Sequence, residues 1–283
     1  MIRLFGILTG LVFAGVALIS FIAGFITWAG EEHVETAEHV AHLAPQKQDF
    51  SFNGPGGRWD TVQLQRGYKV YKEVCAACHS LKFVAFRDLA DLGYNEDEVK
   101  ALAAEWQVPG IDPNTGEANL RPGLPKDYFP LVYPNNVAAA AANNNAIPPD
   151  LSLITKARHD GPNYVASLLT GYEPTPAKLK KEFKFETPDG LHYNPYFANL
   201  NIAMAPPLSA DGQVTYDDGT DATKQQMATD VAAFLTWTAE PKMQQRKQTG
   251  LWFIGFLFFA TVLAFMAYKN VWAGMKPKKP AEE

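Results

Sequence analysis

Two cysteines and a histidine in the first third of the chain have a spacing that suits redox or metal chemistry. Cys75 and Cys78 are three residues apart, His79 follows directly, and the 283 residues contain no other cysteine. Residues three apart on a helical turn lie on one side, so both sulfurs can bond to one edge of a porphyrin. The C-x-x-C-H pattern is the attachment motif of a c-type haem. It predicts one haem c, bound covalently through Cys75 and Cys78, with His79 as an iron ligand.

A redox dithiol and half of a zinc site are the other interpretations of this spacing. A zinc site needs two more Cys or His ligands at close spacing, and apart from His79 none lies nearby in the sequence. A thioredoxin-like dithiol usually opens a helix after a strand, whereas Cys75 ends a helical pattern. We therefore favour the haem.

The other face of a haem iron takes a second ligand, and Met or His in that place tunes the reduction potential. Met204 lies in an irregular stretch, residues 201–208 (NIAMAPPL), whose prolines stiffen the backbone. That setting favours Met204, and His159 and His192 remain as alternatives for a bis-histidine site. Met227 falls on the apolar stripe of a helical segment and is assigned to the core.

The elements that must position these residues are mainly helical. Strand signals are sparse, so we predict a mainly α fold. Its first and last helices are expected to pack together beside the haem edge. Hydrophobic spacing and caps predict helices over 62–75, 95–106, 163–170 and 223–239, loops over 108–133 and 173–205, and at most a hairpin edge at 214–215.

An uncharged stretch near the C-terminus is long enough to span a bilayer. It runs from Gly250 to Tyr268, and about 20 apolar residues cross a hydrocarbon core. Trp252, Tyr268 and Trp272 lie near its ends, as interfacial aromatic residues do. We predict a transmembrane helix over 248–272 and a cytoplasmic tail over 273–283.

The N-terminus is apolar from Leu4 to Ala29, after Arg3. A signal peptide has a shorter apolar core and an A-x-A-like site, so residues 1–30 are either an uncleaved anchor, which we favour, or a signal segment. Residues 31–59 are assigned to a polar linker and residues 60–241 to a periplasmic haem domain.

Charge is unevenly distributed along the chain. Residues 31–240 contain 17 Lys and Arg against 28 Asp and Glu, whereas residues 241–283 contain 7 against 2. The acidic part, including Asp217 and Asp218, is either an ordinary solvated surface or a docking face for a basic partner. The folded domain has no basic patch of the kind that binds nucleic acid.

An ordered set of segments from about Asp60 to Lys269 resembles the cytochrome c1 family, the c-haem subunits of the ubiquinol–cytochrome c reductase (bc1) complex. The long N-terminal apolar run is similar to alphaproteobacterial members. The segments are CAACHS with FVAFRDL, GYNEDEVKALAAEW, RPG with DYFP and YPN, NNAIPPDLS, ARHDGPNYVASLLTGY, NPYFANLNIAMAPPL, YDDGTDAT and AEPKMQQRKQTGL.

The resemblance implies that the mainly α fold is a cytochrome c-like haem domain with loop insertions. It also implies roles for further residues. Met204 would be the sixth iron ligand, and Arg158 would lie against a haem propionate, as suits a guanidinium. Pro149 and the loop from Asn143 to Asn145 would line the haem crevice, with Tyr164 nearby. Members often have Gly where this chain has Asn145, and Asn tolerates the left-handed backbone that Gly suggests.

The function that the resemblance implies is electron transfer within quinol–cytochrome c reductase. The chain would accept an electron from the Rieske iron–sulfur protein and pass it to cytochrome c, with no acid–base catalytic residues of its own. Cytochrome b and membrane lipid would be further partners, in a dimeric complex of the bacterial inner membrane. A free-standing membrane cytochrome and a haem enzyme with an open iron site are the rival classes.

Overall fold

A computed structural model describes residues 2–30 and 35–275. The chain divides into two compact units, Met1–Val40 and Ala41–Glu283. Residues 31–34, in the predicted linker, and residues 276–283, in the predicted tail, lie outside the described residues.

The first unit contains a long apolar helix and all but the last residue of a short polar one. Helix α1 (Ile2–Gly30) contains 29 residues, and its only charged residue is Arg3. At 1.5 Å per residue it is long enough to cross a bilayer, as its composition also allows. Helix α2 (Ala37–Ala41) follows.

The second unit is built on two crossing helices, α3 (Thr61–Glu73) and α8 (Lys224–Ala239). Their N-termini are capped by Asp60 and Thr223, whose side chains accept backbone N–H bonds. A Cβ atom on Gly67 would lie 2.1 Å from the Asp230 carbonyl oxygen, so only glycine permits this close crossing. The predicted packing of the first and last helices of the domain is confirmed.

An aromatic cluster fills the space beside this crossing. The ring centroids of Phe86 and Phe129 are 4.5 Å apart, and those of Trp106 and Phe129 are 5.0 Å apart. Tyr71 and Phe234 are fully buried in the same core. The cluster fixes the end of α3, from which the C-x-x-C-H segment continues.

The segment after α4 (Glu96–Ala104) contains a hairpin where the sequence predicted only loops. Strands β1 (Gln107–Ile111) and β2 (Ala118–Pro122) pair antiparallel, with Val108 opposite Arg121. The Asp112 carboxylate accepts bonds from the backbone of Asn114 and Thr115 and so closes the turn. Each strand contains a proline, a residue that argues against a strand, so the sequence did not predict this pairing.

The remaining elements are short. A 3₁₀ helix covers Phe86–Leu92, and helices α5 (Asn136–Ala142), α6 (Gly161–Thr170) and α7 (Ala177–Glu182) follow. Strands β3 (His192–Tyr193) and β4 (Asn201–Ile202) pair within the predicted loop 173–205, so that prediction is wrong in detail. No strand forms at residues 214–215.

Helix α9 (Met243–Trp272) combines the end of the domain with the apolar C-terminal stretch. It begins before the predicted span because its first turn belongs to the domain: Met243 is buried, and the Lys247 ammonium donates to the Phe52 and Gly54 carbonyls at 2.6 and 2.8 Å. The predicted linker is likewise in contact with the domain, since Phe50 and Phe52 are buried in its core. The apolar part of α9 is long enough to cross a membrane.

Candidate haem site

The two cysteines and the histidine lie on one tight turn at the end of α3. Cys75–Ala77 forms a single 3₁₀ turn, and the Cys75 carbonyl accepts the N–H groups of Cys78 at 3.1 Å and His79 at 2.9 Å. Both thiols are free, without a disulfide. Burial, and secondarily the neighbouring Cys78, raises the pKa of the Cys75 thiol to about 12. The local geometry is thus the turn that the motif predicts.

The imidazole of His79 is held by one ring nitrogen. Nδ1 lies 2.7 Å from the Pro149 carbonyl oxygen, which can only accept, so Nδ1 carries the proton and Nε2 retains its lone pair. Burial lowers the pKa of His79, with the bond to Pro149 opposing that effect. The Tyr71 hydroxyl donates to the His79 carbonyl at 2.9 Å and ties the segment to α3.

The segment that carries Pro149 is fastened to the residues after His79. The Leu151 N–H donates to the Ser80 carbonyl at 2.9 Å, and the Asp150 carboxylate accepts from the Lys82 N–H at 2.9 Å. Each of these bonds joins residues about 70 positions apart in sequence. The Pro149 carbonyl is therefore placed by one backbone bond and by bonds from backbone N–H groups to the side chains of Asp150 and Ser152. The family resemblance predicts Pro149 in the crevice, but its bond to His79 was not predicted, because a backbone carbonyl gives no signal in the residue type.

The loop before Pro149 has the left-handed backbone that the sequence predicted. Asn144 and Asn145 have φ of 51° and 60°. Asn143 ends α5, and its side-chain amide donates to the Ala139 carbonyl at 2.7 Å. Asn145 thus adopts the left-handed conformation that asparagine tolerates better than most residues.

Met204 lies shortly after β4 in a half-buried position. The Tyr172 hydroxyl donates to its carbonyl oxygen at 3.0 Å, and Pro206 and Pro207 follow it. These features fix the Met204 backbone. Tyr172 itself, at the end of α6, was not identified from the sequence.

The rival ligands have different surroundings. The His159 side chain is 99% exposed, so nothing packs it towards a cofactor. His192 is half-buried in β3, with its ring 6.4 Å from that of Tyr172. Met227 is fully buried in α8, in the core where the apolar stripe placed it.

Arg158 and Tyr164 lie close to one another. Arg158 is exposed, and its guanidinium donates to the Ala157 carbonyl at 3.0 Å. Burial raises the pKa of Tyr164, while the nearby Arg158 opposes that shift. Burial also raises the pKa of Tyr172, and the charge of Tyr164 raises it further. The structure thus brings Arg158 near Tyr164 and joins Tyr172 to Met204, and it separately joins the C-x-x-C-H turn to Pro149.

The donor set fits a covalently bound haem better than the alternatives. Two free thiols and an imidazole with an available Nε2 share one turn, which is what C-x-x-C-H attachment requires. Within residues 2–30 and 35–275, no cluster of three or more His, Cys, Asp or Glu side chains suits a metal ion directly. A haem brings its iron with four nitrogen ligands and needs only axial donors from the chain.

Comparison with known proteins agrees with the motif. Residues 50–275 match the Cytochrome C1 family. The chain is 45% identical over 240 residues to cytochrome c1 of Rhodospirillum rubrum, covering 81% of this chain and 88% of that protein. It is 44% identical over 272 residues to the mitochondrial cytochrome c1 heme protein of Saccharomyces cerevisiae, covering 95% of this chain and 85% of that protein. It is also 44% identical over 250 residues to cytochrome b/c1 of Bradyrhizobium diazoefficiens, covering 81% of this chain and 36% of that longer protein.

The chain therefore belongs to the cytochrome c1 family. This confirms the predicted mainly α haem-domain fold and the predicted c-type haem, since the two cysteines of the family motif are present and free. The bacterial relatives agree with the predicted alphaproteobacterial type.

Proposed function

We propose that this chain is the electron-carrying subunit of a quinol–cytochrome c reductase. In this proposal Cys75 and Cys78 hold the haem through thioether bonds, and His79 Nε2 and Met204 Sδ are its axial ligands. The observation that carries the proposal is the 2.7 Å contact between His79 Nδ1 and the Pro149 carbonyl. It fixes the ring nitrogen that remains available to a metal, and metal-bound histidines characteristically make such a bond.

In this proposal the other residues shape the crevice. Tyr172 holds the Met204 backbone, Pro149 holds the His79 ring, and Asn143 begins the loop that leads to Pro149. Arg158 beside Tyr164 offers a guanidinium to a propionate carboxylate. When bound, the haem supplies a one-electron redox couple. The task of the chain is to hold it rigidly and keep water and other ligands from the iron.

The electron donor in this proposal is the Rieske iron–sulfur protein, and the acceptor is a cytochrome c. Membership of the cytochrome c1 family supports the assignment to a bc1 complex, and a relative whose name joins cytochrome b to c1 supports cytochrome b as a neighbour. Enzyme activity would belong to the whole complex, because this chain needs no acid–base residue for its step.

We further propose that the chain is anchored in the bacterial inner membrane, with residues 60–241 on the periplasmic side and the 273–283 tail in the cytoplasm. Two helices long and apolar enough to span a bilayer support the anchoring. The orientation follows from the chemistry of the motif, because haem c is attached outside the inner membrane.

The test is anaerobic stopped-flow spectroscopy of the purified complex containing the full chain. Quinol is added first and cytochrome c second, and the c-type absorption band is followed. We expect the band to be reduced by quinol and reoxidised by cytochrome c. His79→Ala should abolish this cycle, whereas His159→Ala, an exposed histidine, should retain it. A wild-type band that ascorbate reduces but quinol does not would contradict the proposal.

A further inference from the structure

Residues 43–48, which the sequence assigned to a polar linker, are bonded to the surface of the domain. The Leu43 N–H donates to the Pro195 carbonyl at 2.8 Å, and the Gln48 N–H donates to the Asn163 side-chain oxygen at 2.9 Å. Asn163 belongs to α6, whereas Pro195 belongs to the connection between β3 and β4. This segment, here called the strap, therefore joins two elements that are distant from it in sequence.

Gln46 is the residue at which the strap bonds to both elements. Its backbone N–H donates to the Ser167 hydroxyl in α6 at 2.8 Å, and its side-chain amide donates to the Tyr196 hydroxyl, also at 2.8 Å. Ser167 and Tyr196 are both buried. Within the described part of the chain, Gln46 is the only hydrogen-bond partner of the Tyr196 hydroxyl. Because a buried hydroxyl that loses its partner is costly, the Gln46 side chain helps to hold this ring in place.

Tyr196 lies in the β3–β4 turn, residues 194–200, which is fastened to the end of α6. The fully buried Asn194 side chain makes two of the bonds: its amide donates to the Leu168 carbonyl at 2.8 Å, and its oxygen accepts from the Tyr196 N–H at 3.0 Å. The Asn194 N–H donates to the Leu200 carbonyl at 2.9 Å and closes the turn. The position of the turn on α6 thus depends on Asn194 within the domain and on the strap at its surface.

Leu200 ends this turn in a backbone conformation that its side chain disfavours. Its φ is 62°, in the left-handed region, and the residue is fully buried. A bulky residue in this region is strained and persists only where the surrounding contacts enforce it. Met204 follows four residues later, directly after β4 and one further residue. Relaxation of the turn would therefore shift the segment that carries Met204.

The ring of Tyr196 also rests against the end of α6. A Cβ atom on Gly171 would lie 2.4 Å from the Tyr196 Cδ2 atom, so only glycine leaves room for the ring there. The next residue, Tyr172, donates its hydroxyl to the Met204 carbonyl at 3.0 Å. Met204 is thus held along two routes, one through the β3–β4 turn and one through Tyr172, and Tyr196 lies where the two routes meet.

We propose that Gln46 is a positioning residue for Met204. By holding Tyr196 against the end of α6, it keeps the β3–β4 turn and the Met204 backbone in place, so that the thioether remains available to the iron. The inference rests on the proposed function, because it takes Met204 as the sixth ligand. The strap, which enters the domain from the N-terminal side, is then part of the support of the haem site and not a passive linker.

The test measures how strongly added imidazole competes for the sixth position of the iron. Imidazole is titrated into the oxidised complex that contains the full chain, and its dissociation constant is read from the visible bands of the c-type haem. Gln46→Ala and Tyr196→Phe each remove one end of the bond, and Met204→Leu removes the proposed ligand itself. Gln48→Ala is the matched control, because its side chain lies in the same strap but accepts from Gln225 in α8, at 3.1 Å.

We expect Gln46→Ala and Tyr196→Phe each to tighten imidazole binding by about tenfold, the lower end of the effect of residues that orient a metal ligand. The double variant should bind imidazole no more tightly than either single variant, since both remove the same bond. Gln48→Ala should bind imidazole as wild type does, and Met204→Leu should bind it more tightly than any of them.

Thermal unfolding of the same variants separates positioning of Met204 from stability of the fold. A lower Tm in Gln46→Ala and Tyr196→Phe, with imidazole binding as in wild type, would show that the bond only stabilises the fold and would overturn the inference. Equal tightening in Gln46→Ala and Gln48→Ala would also overturn it. Tyr196→Phe retains the ring, so it decides the matter if Gln46→Ala fails to assemble. If Met204→Leu bound imidazole no more tightly than wild type, the proposed ligation by Met204 would instead be contradicted.

Discussion

His79 and Pro149 are 70 residues apart in sequence, yet the imidazole Nδ1 of one lies 2.7 Å from the carbonyl oxygen of the other. This bond fixes the ring tautomer and its orientation at the end of α3. It also couples the C-x-x-C-H turn to the Asn-Asn loop that precedes Pro149. The C-x-x-C-H turn and the loop that ends at Pro149 are therefore held together as one part of the candidate site.

Met204 can be tested against a second methionine in the same chain. Met204→Leu should remove the proposed sixth ligand, so carbon monoxide should bind the reduced protein and the reduction potential should fall. The fall should be a sizeable part of the roughly 0.8 V range that axial ligands control. Met227→Leu, at a fully buried core position, should do neither. Potentiometric titration and carbon monoxide difference spectra provide the measurement. Equal behaviour of the two variants would remove Met204 from the site.

The close crossing of α3 and α8 depends on Gly67. Gly67→Ala would place a Cβ 2.1 Å from the Asp230 carbonyl oxygen and 2.7 Å from the Phe234 Cβ. Since both of these atoms belong to the packed helix α8, we expect the free energy of unfolding to fall by about 1–3 kcal/mol. Thermal unfolding followed by circular dichroism should show a lower Tm. Gly56→Ala is the control, because nothing lies within 4 Å of its position. A Tm for Gly67→Ala equal to that of the control would show that the helices can separate freely.

Helix starts were the part of the fold most readily predicted from the sequence. Asn95 and Glu98 make the expected capping box, and Thr223 caps α8. These signals are local, since a cap and its partner lie within one turn. The turn of the C-x-x-C-H motif was predictable for the same reason.

The features that sequence reasoning missed depend on contacts between distant residues. In the β1–β2 hairpin, Ile111 and Leu120 are exposed apolar residues, so no alternation of buried and polar positions marked the strands. The bond from Tyr172 to Met204 joins residues 32 apart, and a backbone carbonyl is the acceptor. Residue types alone carry no information about such a partner.

Asp230 is a buried carboxylate that organises the base of the α3–α8 crossing. It accepts hydrogen bonds from Gln63 at 3.1 Å, Gln226 at 2.8 Å and Arg66 at 2.9 Å. Burial disfavours the charged form of Arg66, but the bonds to Asp230 and then Asp218 outweigh it and raise its pKa. Asp230→Ala should therefore leave Arg66 without its buried partner. We expect the free energy of unfolding to fall by about 3–5 kcal/mol.

Chemical denaturation of the purified protein measures this loss. Asp217→Ala is the control, because the Asp217 side chain is 87% exposed and its pair with Lys69 is weak in water. A loss of stability in Asp230→Ala no larger than in the control would contradict the assigned role.

The pair of Arg121 and Asp127 predicts how stability depends on pH. Hydrogen bonds from Arg121, and secondarily from the Leu124 N–H, lower the pKa of Asp127 below its usual value, although burial opposes them. A carboxylate with a lowered pKa stabilises the fold above its unfolded-state pKa of about 3.9, and the contribution is lost as pH falls through the folded-state value.

Asp127→Asn should therefore lower the Tm at pH 7 by a few degrees, and its difference from wild type should narrow below about pH 4. Circular dichroism melts between neutral and acidic pH measure this. Asp189→Asn, an exposed residue outside any described ion pair, should track wild type throughout. A difference between Asp127→Asn and wild type that stays constant with pH would refute this role of the pair.

Axial ligation of the haem by His79 and Met204 is tested most directly by a reduced-minus-oxidised visible spectrum of the purified protein, recorded with and without carbon monoxide. Covalent haem with both residues on the iron predicts a c-type band that carbon monoxide leaves unchanged. A band that shifts with carbon monoxide would show an open or labile sixth position and contradict the axial assignment and the electron-carrier function. Absence of any c-type band would contradict haem attachment at Cys75 and Cys78.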